Sequence, residues 1–570
     1  MTIKLLSLGM MLTVATTGLA QSGVQIRRNQ VGCYPQQEKV VVVEGKNPGG
    51  KVRVTTPAGK VLKAKTVRKA VSPLSKKTRY VVNLGELLTP GDYRVSVGRD
   101  NCVLHVSEQP YHDIATASLR LFYLIRSGVA IDDDVYGRPL GHPDTHVLVH
   151  NSAASTLRPA GTVISSPYGW YDAGDYNKYV VNSAFSIGLM FAAYEQLPAY
   201  FTQLDTHIPE SGNATPDFLD EMMFNLQWFF TMQDPEDGGV YHKLTTPNFE
   251  GFVMPKDCHQ PRYVVAKTVT ATLDFAAVMA DAARLFEPFQ KDYPGFSAQA
   301  AAVAERAYQW AKAHPTAFYH QHLLKDPAVT TGGYGDNSAS DEFFWAASAL
   351  YRLTGKHTYL DDARQYQPKQ FTTPSWGNVA SLGAFEWLAA KGLPFYETML
   401  LQLTAYCDAA IQGVEQSSFQ SPYGNKATDF GWGCLAEYCC CQAMALLYAD
   451  KLTGTEKYRR YALQNADYLL GRNATGYCFV TGFGDKSPMH PHHRPSVADG
   501  IEAPFPGMLV GGPNPGQQDK AGLHNAAYPS DIPDESYIDD DESYASNEIA
   551  INWNASLVAF LCWLDALAAH

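Results

Sequence analysis

A small all-β domain followed by a larger, mainly α domain of paired helices is the fold this sequence predicts, and three observations predict it. Residues 24–107 alternate apolar and polar side chains in short runs broken by Gly and Pro. From residue 113 the apolar spacing changes to the three-and-four period of helices. Within that second region a helix–stop–helix unit occurs twice, as ALYRLTGKHTYL (349–360) and LLYADKLTGTEKYRRYAL (446–463). A chain of 570 residues is long enough to give both domains a core.

Residues 1–20 read as an export signal. Lys4 precedes an apolar run over residues 5–19, and the small residues Gly18 and Ala20 precede a cut ahead of Gln21. The run is too short and wrongly flanked for a membrane span. The last apolar helix is interrupted by Asn552, Asn554 and Asp565. The expectation is an exported protein, periplasmic or secreted, with no membrane partner after cleavage. A net charge of −12 argues against nucleic acid and suits a neutral polysaccharide. The 12% aromatic content fits either sugar stacking or a large aromatic core. Ten cysteines, three of them consecutive (Cys439, Cys440, Cys441), suggest buried free thiols rather than a disulfide scaffold or a metal cluster.

The first domain, residues 21–108, carries strand-like runs at 39–43, 52–55, 79–84, 93–97 and 103–106. Turns fall at Pro48-Gly49-Gly50, Pro57-Ala58-Gly59 and Pro90-Gly91. Regular short strands with such turns indicate a β-sandwich. It holds no cluster of acids or histidines, so its expected role is to pack against and stabilise its neighbour; glycan binding is the other reading. The boundary is placed at residues 108–112.

In the second domain, residues 109–570, Thr215-Pro216 is expected to open a helix, Thr as N-cap and Pro at the first position. Further helices are expected at 268–286, at 341–354 closed by Gly355, at 435–453 closed by Gly454, and at 456–470 closed by Gly471. Repeated helix pairs over so long a stretch suggest a toroid or solenoid. The Gly/Pro/His-rich loop 476–535 is long enough to be functional, so chemistry is expected at the end where loops converge.

Two stretches concentrate the chemistry. In WYDAGDYNKYV (170–180), Asp172 and Asp175 stand three apart among Trp170, Tyr171 and Tyr176. They read as carboxylates sharing a water, or as a helix-cap pair. In SYIDDDESYASNEIAINWNA (536–555), Asp539 and Glu548 stand among aromatics and amides; an acid against apolar walls keeps its proton toward neutral pH. Paired carboxylates among aromatic rings are what glycoside hydrolysis requires. The loop VTGFGDKSPMHPHHRPS (480–496) supplies His490, His492, His493 and Arg494 as donors to sugar hydroxyls or a carboxylate, or as structural groups. His142, Asp144, His146 and His150 in GHPDTHVLVH are metal-ligand types or loop residues. Asn337, Ser338, Asp341 and Glu342 suit Ca²⁺, or an ordinary helix start.

The motifs RRNQVGCYP, IPESGNATPDFLDE (208–221), GGVYHK (238–243), SDEFFWAA (340–347) and DFGWG (429–433), the loop ending in HHR at Arg494, and residues 537–555 together resemble family 9 glycoside hydrolases. The similarity covers nearly the whole mature chain and points to the branch with an N-terminal immunoglobulin-like domain. The resemblance implies an (α/α)6 barrel that hydrolyses β-1,4-glucans with inversion. It makes Asp175 the general base, with Asp172 holding the water, and Glu548 the general acid. His492 and Arg494 would bind the sugar, Asp539 would support the site, and Trp376, Trp432, Trp553 and Tyr544 would form aromatic subsites. It implies a structural Ca²⁺ at Asp341, Glu342 and Ser338, although Gly377-Asn378 stands where a further acidic ligand is expected. GHPDTHVLVH lacks the cysteine of the branch's Zn²⁺ site, which argues against zinc. No metal is needed for the chemistry. The expected activity is that of an endo-β-1,4-glucanase (cellulase) acting as a monomer. Action on xyloglucan, mixed-linkage glucan or glucosamine oligomers, exo-action, and non-catalytic glycan binding are the alternatives.

Overall fold

The computed structural model describes residues 23–523 and 527–569; the export signal expected at 1–20 lies outside the described residues. Eight strands form the first domain: β1 (Gln25–Arg27), β2 (Val40–Glu44), β3 (Val52–Thr55), β4 (Val61–Lys63), β5 (Thr66–Val71), β6 (Thr78–Asn83), β7 (Gly91–Val97) and β8 (Asp100–Val106). They make two antiparallel sheets, ordered β1-β2-β6-β5 and β4-β3-β7-β8. Val41, Val43 and Val82 of one sheet meet Val52, Val54, Val95 and Leu104 of the other in a shared core.

The inner strands of the first sheet, β2 and β6, are buried on both faces. Val40, Val42, Ala70 and Val81, the alternate residues, belong to the core of the second domain. This explains why β2 reads VVVV with no polar residue until Glu44. Polar ties reinforce the junction: buried Arg79 pairs with Glu44 and Asp534, Asn29 with Asp467, and the Tyr34 hydroxyl donates to Leu564 O at 2.6 Å. The sandwich is thus a packing module for the barrel.

The second domain holds α1 (His112–Leu124), α2 (Val180–Gln196), α3 (Pro198–Gln203), α4 (Asp217–Met232), α5 (Val269–Leu285), α6 (Phe296–Ala313) and α7 (Ser340–Thr354). It continues with α8 (His357–Gln365), α9 (Ala380–Leu388), α10 (Tyr396–Ala410), α11 (Gln442–Thr453), α12 (Arg459–Leu469), α13 (Arg494–Ala498) and α14 (Ile551–Ala566). The long helices form an (α/α)6 barrel. α2, α5, α7, α9, α11 and α14 line its interior; α2, α9 and α14 are buried nearly all round, as sequences apolar on every face must be. A small sheet, β9 (Val147–Val149), β10 (Val163–Ile164), β11 (Lys178–Tyr179), β12 (Tyr241–Thr245) and β13 (Tyr263–Lys267), sits at the end where α2 and α5 begin.

Both repeated units end as read from the sequence: α7 stops at Gly355 (φ 68°) and α11 at Gly454 (φ 64°), the left-handed geometry glycine favours. Two helix starts differ. α4 begins at Asp217, with Pro216 in the cap position (φ −59°, ψ 137°). Thr215 is not the cap, because its hydroxyl is donated to Asp292 at 2.9 Å. α12 begins at Arg459 rather than 456, because Asp450 of the preceding helix accepts the Tyr458 and Arg459 amides (3.0 and 3.1 Å) and caps it there. Residues Leu435–Cys441 open α11 with a π-helical turn, a form frequent near functional sites. All ten cysteines are unpaired; Cys439, Cys440 and Cys441 are buried, and burial pushes the Cys441 thiol up to about 12.

Candidate active site

Three distant segments meet where the inner helices begin, laced by backbone hydrogen bonds. The loop 171–177 before α2 meets the segment before α14: Ala173 bridges Ala550, and Ile551 N donates to Asp172 O at 2.7 Å. The histidine loop joins both. His492 bridges Glu548 and donates its amide to Asn547 O (2.9 Å), while Arg494 N donates to Gly174 O (3.2 Å). Gly174 lies at the crossing. A Cβ there would overlap the carbonyl oxygen of His492 and stand 3.1 Å from Glu548 Oε1, so only glycine allows the loops to approach.

The cleft so formed, about 290 Å³, is lined by Asp172, Asp175 and Glu548 with Tyr179, Tyr334, Phe249, Trp376, Trp432, Trp553 and Asn552. Asp172 accepts from Asn182 Nδ2 (2.8 Å) on one oxygen and from the Tyr334 hydroxyl (2.7 Å) on the other. Burial, then the neighbouring Asp175, pushes its carboxyl well above the usual range. Asp175 accepts from Asn177 and from the Tyr179 hydroxyl (3.2 Å), all on Oδ2, which leaves Oδ1 for a water. Glu548 is likewise raised well above the ordinary carboxylate value, by burial first and then by Asp175, with Arg494 opposing. Buried Lys243 donates to Thr331 Oγ1 (2.9 Å) and Gly332 O (2.6 Å), and burial lowers its ammonium to about 7 against the pull of Asp175 and Asp172. A protonated acid and an ionisable carboxylate facing one aromatic-lined cleft can give a proton to a leaving oxygen and take one from water.

The other expected site residues are placed as follows. His492 donates from Nδ1 to Asp541 O (2.6 Å), and burial lowers its pKa to about 4, so the ring is neutral with Nε2 an acceptor. Arg494 is anchored beneath the cleft by two of its nitrogens. It is buried; its Nε and Nη1 donate to Glu250 O (2.8 Å) and Gly174 O (2.6 Å), and it lies under Phe249 and Phe252. Asp539 stands back from the cleft. Its oxygens receive the Met489 and His490 amides (both 2.9 Å) and hold the histidine loop. Trp432 (46% exposed) and Tyr544 (39% exposed) stand together at the rim, ring centroids 5.9 Å apart. Trp376 packs edge-on against Tyr334, and Trp553 lies against Gly433 and Gly511.

The metal expectations fare differently. Asp144 is held between Lys178 Nζ (2.8 Å) and Arg262 Nε (2.9 Å), His142 Nδ1 meets the Tyr171 hydroxyl (3.0 Å), and His150 pairs with Ser152 and Pro327. Two buried cations on Asp144 do not fit a zinc site. At the calcium position Asp341 accepts the Val379 amide (2.9 Å) and the Ser338 hydroxyl pairs with that of Ser340 (3.1 Å), while α7 starts after Ala339 without a side-chain cap. Buried Glu342 Oε2 and both Asp274 oxygens lack a hydrogen-bond partner. Among the described residues no group of three or more His, Cys, Asp or Glu is arranged to hold a metal ion.

Tyr179, Asn182, Lys243, Phe249 and Tyr334 went unforeseen. Tyr179 and Asn182 lie just beyond the Asp172–Asp175 motif in sequence; Tyr334 sits in the glycine-rich GGYGDNS approach to α7.

Residues 111–561 match the sequence model of glycosyl hydrolase family 9, and residues 21–101 that of the cellulase N-terminal Ig-like domain. The chain belongs to glycosyl hydrolase family 9. Similar to this family 9 chain is a xyloglucan-specific endo-β-1,4-glucanase of Bacteroides ovatus, 52% identical over 558 residues, 96% of this chain and 94% of that protein. Endoglucanase D of Acetivibrio thermocellus is 32% identical over 545 residues, 94% of this chain and 82% of that one. A solved structure described as Bacteroides ovatus GH9 superposes with a TM-score of 0.91 at 51% identity, covering 95% of this chain and 99% of that one. As a family 9 glycoside hydrolase the protein acts on a β-glycan.

Proposed function

We propose that this protein is an exported endo-β-1,4-glucanase that cuts a glucan backbone with inversion, xyloglucan being its preferred form. The observation that carries the reading is the meeting of Asp175 and Glu548, 373 positions apart in the chain, in one aromatic-lined cleft with Glu548 raised toward its protonated form. Glu548 donates its proton to the leaving oxygen. Asp175 takes a proton from a water attacking the opposite face, a geometry that needs acid and base roughly 6.5–9.5 Å apart. Asp172, tied to Tyr334 and Asn182, orients that water. Trp432 and Tyr544 stack on sugar rings at the rim, and His492 hydrogen-bonds a hydroxyl close to Glu548. The similarity to a xyloglucan-specific relative supports the substituted glucan over plain cellulose.

The test is release of reducing ends from xyloglucan, carboxymethyl-cellulose and mixed-linkage glucan. The expected result is a fall in polymer size with little monosaccharide, fastest on xyloglucan and abolished in Glu548→Gln. Equal rates on all three would remove the xyloglucan preference while keeping the acid and base. The chain is proposed to act as a monomer and, once the segment before Gln21 is removed, free of membrane. No helix among the described residues is long and apolar enough to cross a membrane. A structural Ca²⁺ near Asp341 and Glu342 is a separate proposal, supported by the unpartnered oxygens of Glu342 and Asp274. A chelator should then lower the melting temperature and leave initial rates unchanged below it.

A further inference from the structure

We infer that Asp144 is a positioning residue for the carboxylate loop, acting through a buried ionic staple with Lys178 and Arg262 where a metal would not fit. The three side chains are 2%, 0% and 6% exposed, and Asp144 spends one oxygen on each cation, at 2.8 Å to Lys178 and 2.9 Å to Arg262. Each cation then reaches onward. Arg262 Nη1 donates to the carbonyl of Tyr176, the residue after Asp175, at 2.9 Å. Lys178 Nζ donates to the carbonyls of Tyr168 (2.7 Å) and Ser166 (3.1 Å), and Ser166 returns its amide to Asp144 O (2.7 Å). On the other side His142, two residues before Asp144, meets the hydroxyl of Tyr171, the neighbour of Asp172. The segment from Tyr171 to Tyr176 is therefore clamped at both ends from one short stretch, residues 142–144. His142 and Asp144 hold left-handed backbone (φ 47° and 48°), a conformation that persists only where surrounding contacts enforce it.

The inference rests on the assignment of Asp172 and Asp175 to catalysis. A buried cation without its partner is strongly unfavourable, so Asp144→Asn disturbs both ends of the clamp. Arg262→Lys is the sharper variant. It keeps a positive charge for Asp144 but cannot also reach Tyr176 O. A misplacement of about 1 Å is worth up to about a hundredfold in rate. The experiment measures kcat, KM and melting temperature on xyloglucan for wild type, Arg262→Lys, Asp144→Asn and Asp175→Asn, with EDTA and with added Zn²⁺. Arg262→Lys should lose about tenfold in kcat, with KM within twofold and little change in melting temperature. Asp144→Asn should lose at least as much, zinc should not restore it, and EDTA should leave the wild-type rate unchanged. An Arg262→Lys variant with full kcat beside an inactive Asp175→Asn overturns the staple alone. Full activity in Asp175→Asn overturns the assignment and the staple with it. Recovery of Asp144→Asn by zinc would show that this crevice serves as a metal site, against the proposal.

Discussion

Glu548 and Asp175 can divide the proton work because their surroundings differ. Glu548 is raised by burial and by the charge of Asp175, while Asp175 takes three bonds on one oxygen and keeps the other for water. A general acid contributes about 10²–10⁴-fold. Glu548→Gln should therefore lose on that order with polysaccharide, and less with aryl glycosides whose leaving group needs no proton. The same shift is a statement about stability. A carboxyl whose pKa rises on folding contributes fully below its unfolded value, and that contribution is lost as pH rises through the folded value. Glu548→Gln should thus melt higher than wild type at about pH 7 and equally near pH 4, checked by calorimetry at both. Tyr334→Phe removes the hydroxyl that holds Asp172, worth about 0.5–1.5 kcal/mol for an ordinary hydrogen bond, so kcat should fall by about two- to tenfold. At this scale the sequence revealed acids set among aromatics, since both lie in short conspicuous motifs. It did not reveal Tyr334 or Lys243, which come from elsewhere in the chain, nor that Arg494 would also hold the carbonyls of Glu250 and Gly174.

The decisive element is the seam of three irregular segments rather than any one helix. Helices carry it only by starting there. The helix pairs and their glycine stops were legible because spacing and left-handed caps are local properties. The seam was not, because its pairings join residues far apart in the chain: Ala173 to Ala550, His492 to Glu548. The two misplaced helix starts have a related cause: Asp292 engages the Thr215 hydroxyl, and Asp450 of the preceding helix caps the Tyr458 and Arg459 amides, contacts that a local reading does not include. Gly174 tests the seam directly. Gly174→Ala would drive His492 away from Glu548. The expected outcome is a kcat loss of about a hundredfold, with the overall fold kept by circular dichroism.

At the scale of the molecule, the sandwich completes the barrel instead of hanging from it. Its first sheet spends Val41 and Val43 on its own core and Val40 and Val42 on the barrel's. Val42→Asp places an unpaired charge in that junction, at a cost of roughly 3 kcal/mol or more. Unfolding should remain a single transition, shifted downward, with activity lost in step. Two separate transitions would show that the domains stand alone. The sequence suggested this dependence only through the all-apolar VVVV of β2 and the lack of any chemical cluster in the first domain.

The measurement that most directly tests the central claim is the anomeric form of the first product, followed by proton NMR as xyloglucan is cut by wild type and by Glu548→Gln. Inversion at a β-linkage between Asp175 and Glu548 predicts the α-anomer first, on oligosaccharides from internal cuts, and none from Glu548→Gln. The β-anomer appearing first, or an undiminished rate in Glu548→Gln, would contradict the roles given to these two carboxyl groups.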